Sequence, residues 1–321
     1  MNFPIIKETL NDTQLIVLDG GARNGPKELL GLDSFCEYYC FEPNPNEIKD
    51  IKTSSFNQNN NGNKSNIHVY PYALSNKSGN VNLNISARPG ATSTLFPDKN
   101  LLSRFKKDNW SEMYKIVEQV SVPCISLSDF LKNSKLAHVD FLKLDTQGNE
   151  LDILKSAKNS INDISVIMVE VELIPIYKKQ ALLHHIGAYL DKNGFEMIDL
   201  RWENECRRFS SRADLPPSAY RLVWGDAIFI RKPKENDKLR VLKQGLVLAG
   251  LGYADAAIDI FEKNTTLSKD QKLALENFAR WVLKPKSKLG KLKRVIEKMF
   301  SLRINRFNWK YDQQVKSMLQ K

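Results

Sequence analysis

Several charged residues stand near strand ends in a chain that alternates strand-like and helix-like segments. Asp19 follows the apolar run 15–18, Glu42 follows 37–41, Lys143 and Asp145 fall two apart near the end of 139–145, and Glu170 lies within 165–172. In an open parallel sheet the carboxyl ends of neighbouring strands share one crevice, and ligands bind there. Carboxylates gathered at such a place can grip hydroxyls or a positive charge, or take a proton from a reacting hydroxyl. Side chains alternate along a strand, so Lys143 and Asp145 point the same way, roughly 6–7 Å apart. A buried lysine is costly unless paired, so a structural ion pair between the two is one reading, and Asp145 standing at the mouth of the crevice, beside the reacting group, is the other.

The first of these acids opens the most informative stretch. Four consecutive apolar residues, 15–18, suggest a strand covered on both faces. Gly20, Gly21 and Gly25 then allow a sharp turn and close approach to a ligand. A helix is expected over 26–30, which makes a strand, glycine turn and helix start of the nucleotide-binding kind. The spacing reads Asp19-x-Gly21-Ala22-x-x-Gly25. That is neither the G-x-G-x-x-G of dinucleotide loops nor the G-x-x-x-x-G-K-[S/T] of phosphate loops, which argues against a nicotinamide dehydrogenase. An acid at the strand tip would repel a diphosphate. It suits a positively charged ligand such as the ammonium and sulfonium of S-adenosylmethionine, although a plain strand-to-helix turn would use the same residues.

Glu42 comes about twenty residues later, before Pro43-Asn44-Pro45-Asn46-Glu47. Asn44 fits an N-cap, Pro45 the first helical position and Glu47 the third residue past the cap. Glu42 is thereby left without a capping role and is placed to bind both hydroxyls of a ribose. A solvated strand-end acid is the plainer alternative.

The elements that must hold these residues follow in order. Strands are expected at 67–74, 139–145, 165–172, 195–200 and 226–231, with an added hairpin strand at 81–85 and a small-residue loop at 90–94. Helices are expected from 151 and over 182–190, the latter stopped by Gly194 as C-terminal cap. Residues 53–66 are polar and asparagine-rich, 101–114 are mixed and partly helical, and 201–221 read as a loop carrying five arginines. The alternation predicts an α/β, doubly wound, mostly parallel sheet closed by an antiparallel hairpin.

Charge divides the chain. Residues 232–321 hold 21 Lys+Arg against 9 Asp+Glu, whereas the first 231 hold 27 against 28. The strand-rich part is therefore neutral, and nucleic acid is not expected as its partner. The four cysteines lack metal-ligand or C-x-x-C spacing and read as reduced thiols of a cytoplasmic protein, with no metal. No signal peptide and no membrane span are expected. The division is an N-terminal arm 1–12, a main domain 13–233, a helical hairpin extension 234–283 and a basic amphipathic tail 284–321.

Taken together, Asp19-x-Gly21-Ala22-x-x-Gly25, Phe41-Glu42-Pro43-Asn44-Pro45, Ala73-Leu74-Ser75, Gly90-Ala91-Thr92-Ser93 and Val122-Pro123-Cys124 stand in a telling order. Asp140-Phe141-Leu142-Lys143-Leu144-Asp145-x-x-Gly148-x-Glu150, Val169-Glu170-Val171, Pro175-x-Tyr177, Gly194-Phe195 and Asp226-Ala227-x-Phe229 follow them. Over about residues 13–233 the chain resembles the FkbM-type family of S-adenosylmethionine-dependent methyltransferases. The resemblance implies a seven-stranded Rossmann-like (class I methyltransferase) sheet with its last strand antiparallel. It implies a cofactor site of Asp19, Gly21, Ala22, Asn24, Gly25, Glu42, Pro43, Ala73, Leu74 and Asp145, with Glu42 as ribose clamp. Asp145, Glu170 and Lys143 become the catalytic candidates. Two positions depart from the family: Arg23-Asn24 replaces a small or apolar pair, and Gln147 stands where a glutamate is frequent. An arginine beside a cationic cofactor needs solvent or an acid to face.

The expected chemistry is O-methyl transfer from S-adenosylmethionine to a hydroxyl of a sugar, a glycan or another small molecule. Asp145 is the first candidate for the proton acceptor, Glu170 the second and His138 the third. The alternative is a catalytically inactive cofactor-binding or scaffold protein whose C-terminal region makes the important contacts. Within that region, 252–261 resembles the second helix of a tetratricopeptide unit, which cannot build a solenoid alone. Residues 284–310 carry ten basic residues and one acid, with Leu289, Leu292, Ile296 and Met299 on one helical face. Such a stretch suits peripheral contact with the anionic inner face of a membrane.

Overall fold

The computed structural model describes residues 4–11, 13–23, 25–26, 28–48, 66–104, 109–206, 221–232 and 237–284. Asn24, residues 53–65 and 207–220, and the basic tail from 285 onward lie outside the described residues.

Strand-forming sequence gathers into a seven-stranded sheet. Its strands are β1 (Leu15–Gly20), β2 (Cys36–Phe41), β3 (Asn66–Tyr70), β7 (Val139–Leu144), β8 (Ile164–Glu172), β9 (Phe195–Cys206) and β10 (Arg221–Arg231), in the order β3-β2-β1-β7-β8-β10-β9. β3, β2, β1, β7 and β8 run parallel, and β10 runs antiparallel to both β8 and β9. This is the doubly wound class I methyltransferase sheet, with the order reversal at β1 and β7 where such sheets open a crevice. A second sheet, β4-β6-β5, joins β4 (Ala73–Leu74), β5 (Gly79–Ser86) and β6 (Ile116–Ile125) above it. The ten residues of β6 are a strand that periodicity does not announce: their burial is irregular, because the small sheet is half exposed.

The apolar residues of the central strands point alternately to two cores. One face buries Leu18, Leu142, Ile167 and Phe229 under helices α4 (Leu127–Asn133), α5 (Glu150–Ser156) and α6 (Leu183–Lys192). Two single-turn helices, α2 (Lys99–Leu102) and α3 (Trp110–Met113), flank the site. The opposite face buries Val17, Phe141, Val166 and Ile228 against α1 (Pro4–Thr9) and the C-terminal helices α7 (Lys238–Gly250), α8 (Ala254–Lys263) and α9 (Lys269–Val282). Each buried Leu or Phe side chain contributes about 1.5–3 kcal/mol, so the extension shares the core of the sheet. Polar fasteners add to this: Lys243 on α7 donates to the Gln14 carbonyl at 2.6 Å and lies 3.3 Å from the buried Asp140 carboxylate. The Gln244 amide donates to the carbonyl of Arg231 at 2.8 Å.

Three local expectations are corrected. Among the described residues of 26–30 (26 and 28–30) no α-helix forms; Gly25 and Gly31 take φ +71° and +78°, and a 3-10 turn, Asp33–Phe35, precedes β2. Apolar Leu29 and Leu32 are buried against the C-terminal helices, which cover the face a helix at this position would have occupied. Arg201 is in a strand, since β9 extends to Cys206, and its guanidinium donates to the Tyr253 hydroxyl at 2.9 Å. The extension holds a third helix, α9, opened by Ser268 and Gln271 in a reciprocal capping box. Among the described residues no helix is long and apolar enough to cross a membrane.

Candidate active site

A cavity of about 410 Å³ opens over the carboxyl ends of β1, β2, β7 and β8, a size suited to a small-molecule ligand. Backbone hydrogen bonds tie its rim together. The amides of Gly21 and Ala22 donate to the Phe41 carbonyl at 3.0 and 3.1 Å, and the Asp145 amide donates to the Gly20 carbonyl at 2.9 Å. Gly21 sits at φ +88°, where a Cβ would lie 1.9 Å from the Asp145 carbonyl oxygen, so no larger residue fits. Of the expected cofactor residues, Gly21, Gly25, Glu42, Pro43, Ala73 and Leu74 line the cavity, and Lys143, Asp145 and Glu170 line it with them. Ala22 points instead into the core, and Asp19 is buried behind the wall at 1 % exposure.

Asp19 is held there by Lys143. The ammonium lies 3.4 Å from Asp19 and 3.5 Å from Glu28. Of the two readings for Lys143 and Asp145, the structural ion pair gives way to this shared one, because β1 and β7 are adjacent and place Asp19 directly opposite Lys143 in register. Burial pushes the Asp19 carboxyl up to about 6, against the pull of Lys143. Burial lowers Lys143, but Asp19, Glu28 and Asp145 together outweigh it and hold the ammonium above its ordinary range. Glu28 is a cavity residue that sequence reasoning missed. The helix expected at 26–30 concealed it, and no spacing signal marks it.

At the other end of the rim, Glu42 is 7 % exposed and accepts the Asn44 amide at 2.8 Å. Its carboxylate is therefore partly engaged rather than wholly free. Burial raises it to about 7. Asn44 caps the helical turn that follows, accepting the Asn46 amide at 3.1 Å. Arg23 meets an acid, as its position requires, lying 4.0 Å from Glu47.

Gln147 joins the two acids on the far wall. Its side-chain nitrogen donates to Asp145 at 3.1 Å and to Glu170 at 2.5 Å, and its oxygen accepts from the Tyr177 hydroxyl at 3.1 Å. Ser93 donates to the Gln147 carbonyl at 2.7 Å, and the residue takes φ +59°, a strained conformation for a non-glycine that such anchoring sustains. Burial first, and Asp145 next, hold the Glu170 carboxyl well above the usual range. Tyr114 and Trp224 add aromatic walls, and Arg88 and Asp226 add charge. His138, by contrast, begins at the opposite end of β7, where it lies 2.9 Å from Asp140 and far from this chemistry.

The residues present fit S-adenosylmethionine. A buried carboxylate oxygen, Asp19 Oδ2, has no hydrogen-bond partner beside the cradle that only glycine permits, and Glu42 offers an acceptor for hydroxyls across it. A curated relative, the 2-O-methyltransferase NoeI of Sinorhizobium fredii (strain NBRC 101917 / NGR234), is 23 % identical over 191 residues, covering 57 % of this chain and 73 % of its own. Among solved structures, methyltransferase FkbM from Methylobacillus flagellatus KT aligns at 14 % identity and TM-score 0.37 over 68 % of this chain, which spans 44 % of that one. Magnesium protoporphyrin IX methyltransferase (ChlM) from Synechocystis PCC 6803, with bound SAM, aligns at 11 % identity and TM-score 0.33, covering 71 % and 77 %. The model of the methyltransferase FkbM domain matches residues 19–197, more than half of the sequence. With that match over the strands that build the crevice, the chain belongs to the FkbM family of S-adenosylmethionine-dependent methyltransferases.

Proposed function

We propose that this enzyme methylates a hydroxyl of a sugar, a glycan or another small polyhydroxylated molecule. The observation that carries the reading is the asymmetry of the crevice. Glu28 and Glu42 line it on the side of β1 and β2, and the Asp145–Gln147–Glu170 group lines it on the side of β7 and β8. S-adenosylmethionine, when bound, supplies a methyl group made electrophilic by its sulfonium. Glu42 would accept its ribose hydroxyls, Gly21 and Gly25 would allow close backbone approach, and Asp19 with Glu28 would supply negative charge near the amino-acid end. Ala73 and Leu74 give apolar surface to the base.

Asp145 would receive the proton of the acceptor hydroxyl, whose oxygen takes the methyl group while the bond from the methyl carbon to the sulfonium sulfur breaks and its electron pair stays on sulfur. Gln147 fixes the Asp145 carboxylate by donating to it, and burial, which pushes the Glu170 carboxyl up, disfavours a competing charge beside it. Alignment of the two reactants contributes most of the acceleration, and a positioned base adds typically 10²–10⁴-fold. Tyr114 and Trp224 give ring faces on which a sugar can lie. The relative NoeI is a 2-O-methyltransferase, which supports oxygen as the acceptor atom. Titration with S-adenosylhomocysteine tests the cofactor. Transfer of labelled methyl to a panel of glycans and lipid-linked sugars tests the acceptor, and labelling of amines or thiols alone would refute O-transfer.

The basic stretch 284–310 is assigned a partner in the same reading: the anionic inner leaflet, met from the cytoplasmic side. Its support is ten basic residues against one acid with an apolar stripe. Full-length protein should pellet with anionic vesicles while protein ending at Leu283 stays in the supernatant; equal recovery of both would end this assignment.

A further inference from the structure

The C-terminal helices do more than cover the sheet: they end against the segment between the glycine turn and β2. The Leu30 amide donates to the Gly250 carbonyl at the end of α7 at 3.1 Å. A Cβ on Gly250 would lie 2.8 Å from Leu32 and 3.4 Å from the Leu29 Cα, so the helix end touches that segment's backbone. At Gly31 a Cβ would lie 2.6 Å from the Trp281 ring and 3.3 Å from Phe278, both on α9. One residue before this clamped stretch is Glu28, which faces the cavity and lies 3.5 Å from Lys143. Lys143 in turn lies 3.4 Å from Asp19.

From these contacts we propose that the extension is a positioning element of the cofactor site: Trp281 and Gly250 fix segment 28–32, and Glu28 passes that placement to Lys143 and Asp19. The inference rests on the reading that the crevice takes S-adenosylmethionine. Its physical basis is charge sharing. With Glu28 in place, two carboxylates divide one ammonium, and that end of the crevice keeps a net negative charge for a cationic ligand. With Glu28 displaced, Lys143 neutralises Asp19 alone and the attraction is lost. The sheet itself would survive, because the strands carrying Asp19 and Lys143 are held by their own ladder.

The test uses the full chain and S-adenosylhomocysteine as probe, with Kd by titration and Tm recorded for every variant. Trp281→Ala and Glu28→Gln should each weaken binding about tenfold, a common size for coupling between sites. The double variant should be no weaker than Glu28→Gln, because both changes break one chain of contacts. Phe261→Leu, which loosens α8 against Gly245 away from segment 28–32, should lower Tm and leave Kd unchanged. Unchanged binding by Trp281→Ala, multiplicative effects in the double variant, or an equal loss of affinity in Phe261→Leu would each overturn the positioning role. Failure of the wild-type protein to bind the probe would overturn the cofactor reading and this inference with it.

Discussion

The Gln147 amide nitrogen lies 2.5 Å from a Glu170 carboxyl oxygen, and the same nitrogen reaches Asp145 at 3.1 Å. One donor thus serves two acids, and the Tyr177 hydroxyl, shared with the Ala91 carbonyl at 2.9 Å, lies 3.1 Å from the amide oxygen. Burial and Asp145 push the Glu170 carboxyl well above its usual range and so favour its neutral form, and its neutral amide isostere should serve nearly as well. Glu170→Gln is therefore expected to keep most of kcat. Asp145→Asn should lose about 10²–10⁴-fold as the proton acceptor disappears. Steady-state kinetics on any accepted sugar compares the two; similar losses in both variants would return the base role to Glu170.

Binding of S-adenosylhomocysteine should release a proton below neutral pH. Glu42 is raised from 4.5 to about 7 by burial, so in the free protein it is largely protonated through that window. The carboxylate is the form that accepts two hydroxyls, so affinity should climb by up to about tenfold per pH unit and level off above pH 7. The stability contribution of this group has the opposite slope. The folded state holds the proton more tightly than the unfolded one, so rising pH between 4.5 and 7 costs the free protein stability. Titration calorimetry at pH 6 in buffers of different ionisation enthalpy counts the protons. Glu42→Gln should remove the release and bind more weakly, which separates Glu42 from Asp19, raised to about 6 in the same crevice.

Lys143 is the buried cation on which two acids depend. Lys143→Met leaves Asp19 and Glu28 facing each other without it, and uncompensated buried charge costs about 3–5 kcal/mol. The loss should be greatest at high pH and shrink as pH falls. Without the ammonium, Asp19 moves further above 6 and can escape its charge by taking a proton. Thermal melts at pH 5.5 and 8 read the difference. Adding Asp19→Asn and Glu28→Gln should restore much of the loss at pH 8, since no unpaired charge then remains.

The two acids at the ends of β1 and β2 were legible because a strand tip is a local feature: branched apolar residues ending in an acid and glycine announce it. The mostly parallel sheet and its antiparallel closing hairpin followed from alternation, and the count of seven strands from the family resemblance. Partner choice was not legible. Lys143 chose Asp19 over Asp145 because strand register sets cross-strand neighbours, and register depends on residues more than a hundred positions apart. Segment 26–30 read as helix because its neighbours promised one. The burial of Leu29 and Leu32 against helices near the chain's other end overrides that preference. Glu28 meets Lys143, and Gln147 meets Glu170 and Tyr177 besides its near neighbour Asp145, so the partners that fix both positions are remote in sequence.

Lys243 predicts how the C-terminal helices leave the sheet. Its ammonium contacts Asp140, which is wholly buried and also accepts the Ile16 amide at 2.8 Å. Lys243→Met should destabilise the protein by about 3–5 kcal/mol, because the buried carboxylate loses its cation. Adding Asp140→Asn should return part of this, since an amide oxygen still accepts from Ile16 and carries no charge. One apolar core runs continuously from β1 and β7 to Leu275 and Phe278 on α9. Denaturant unfolding followed by far-ultraviolet dichroism and by tryptophan fluorescence should therefore give coincident transitions in the wild type and in both variants. A separate early transition would show that helices α7–α9 fold as their own unit. Their packing against segment 28–32 would then be too weak to position the cofactor site.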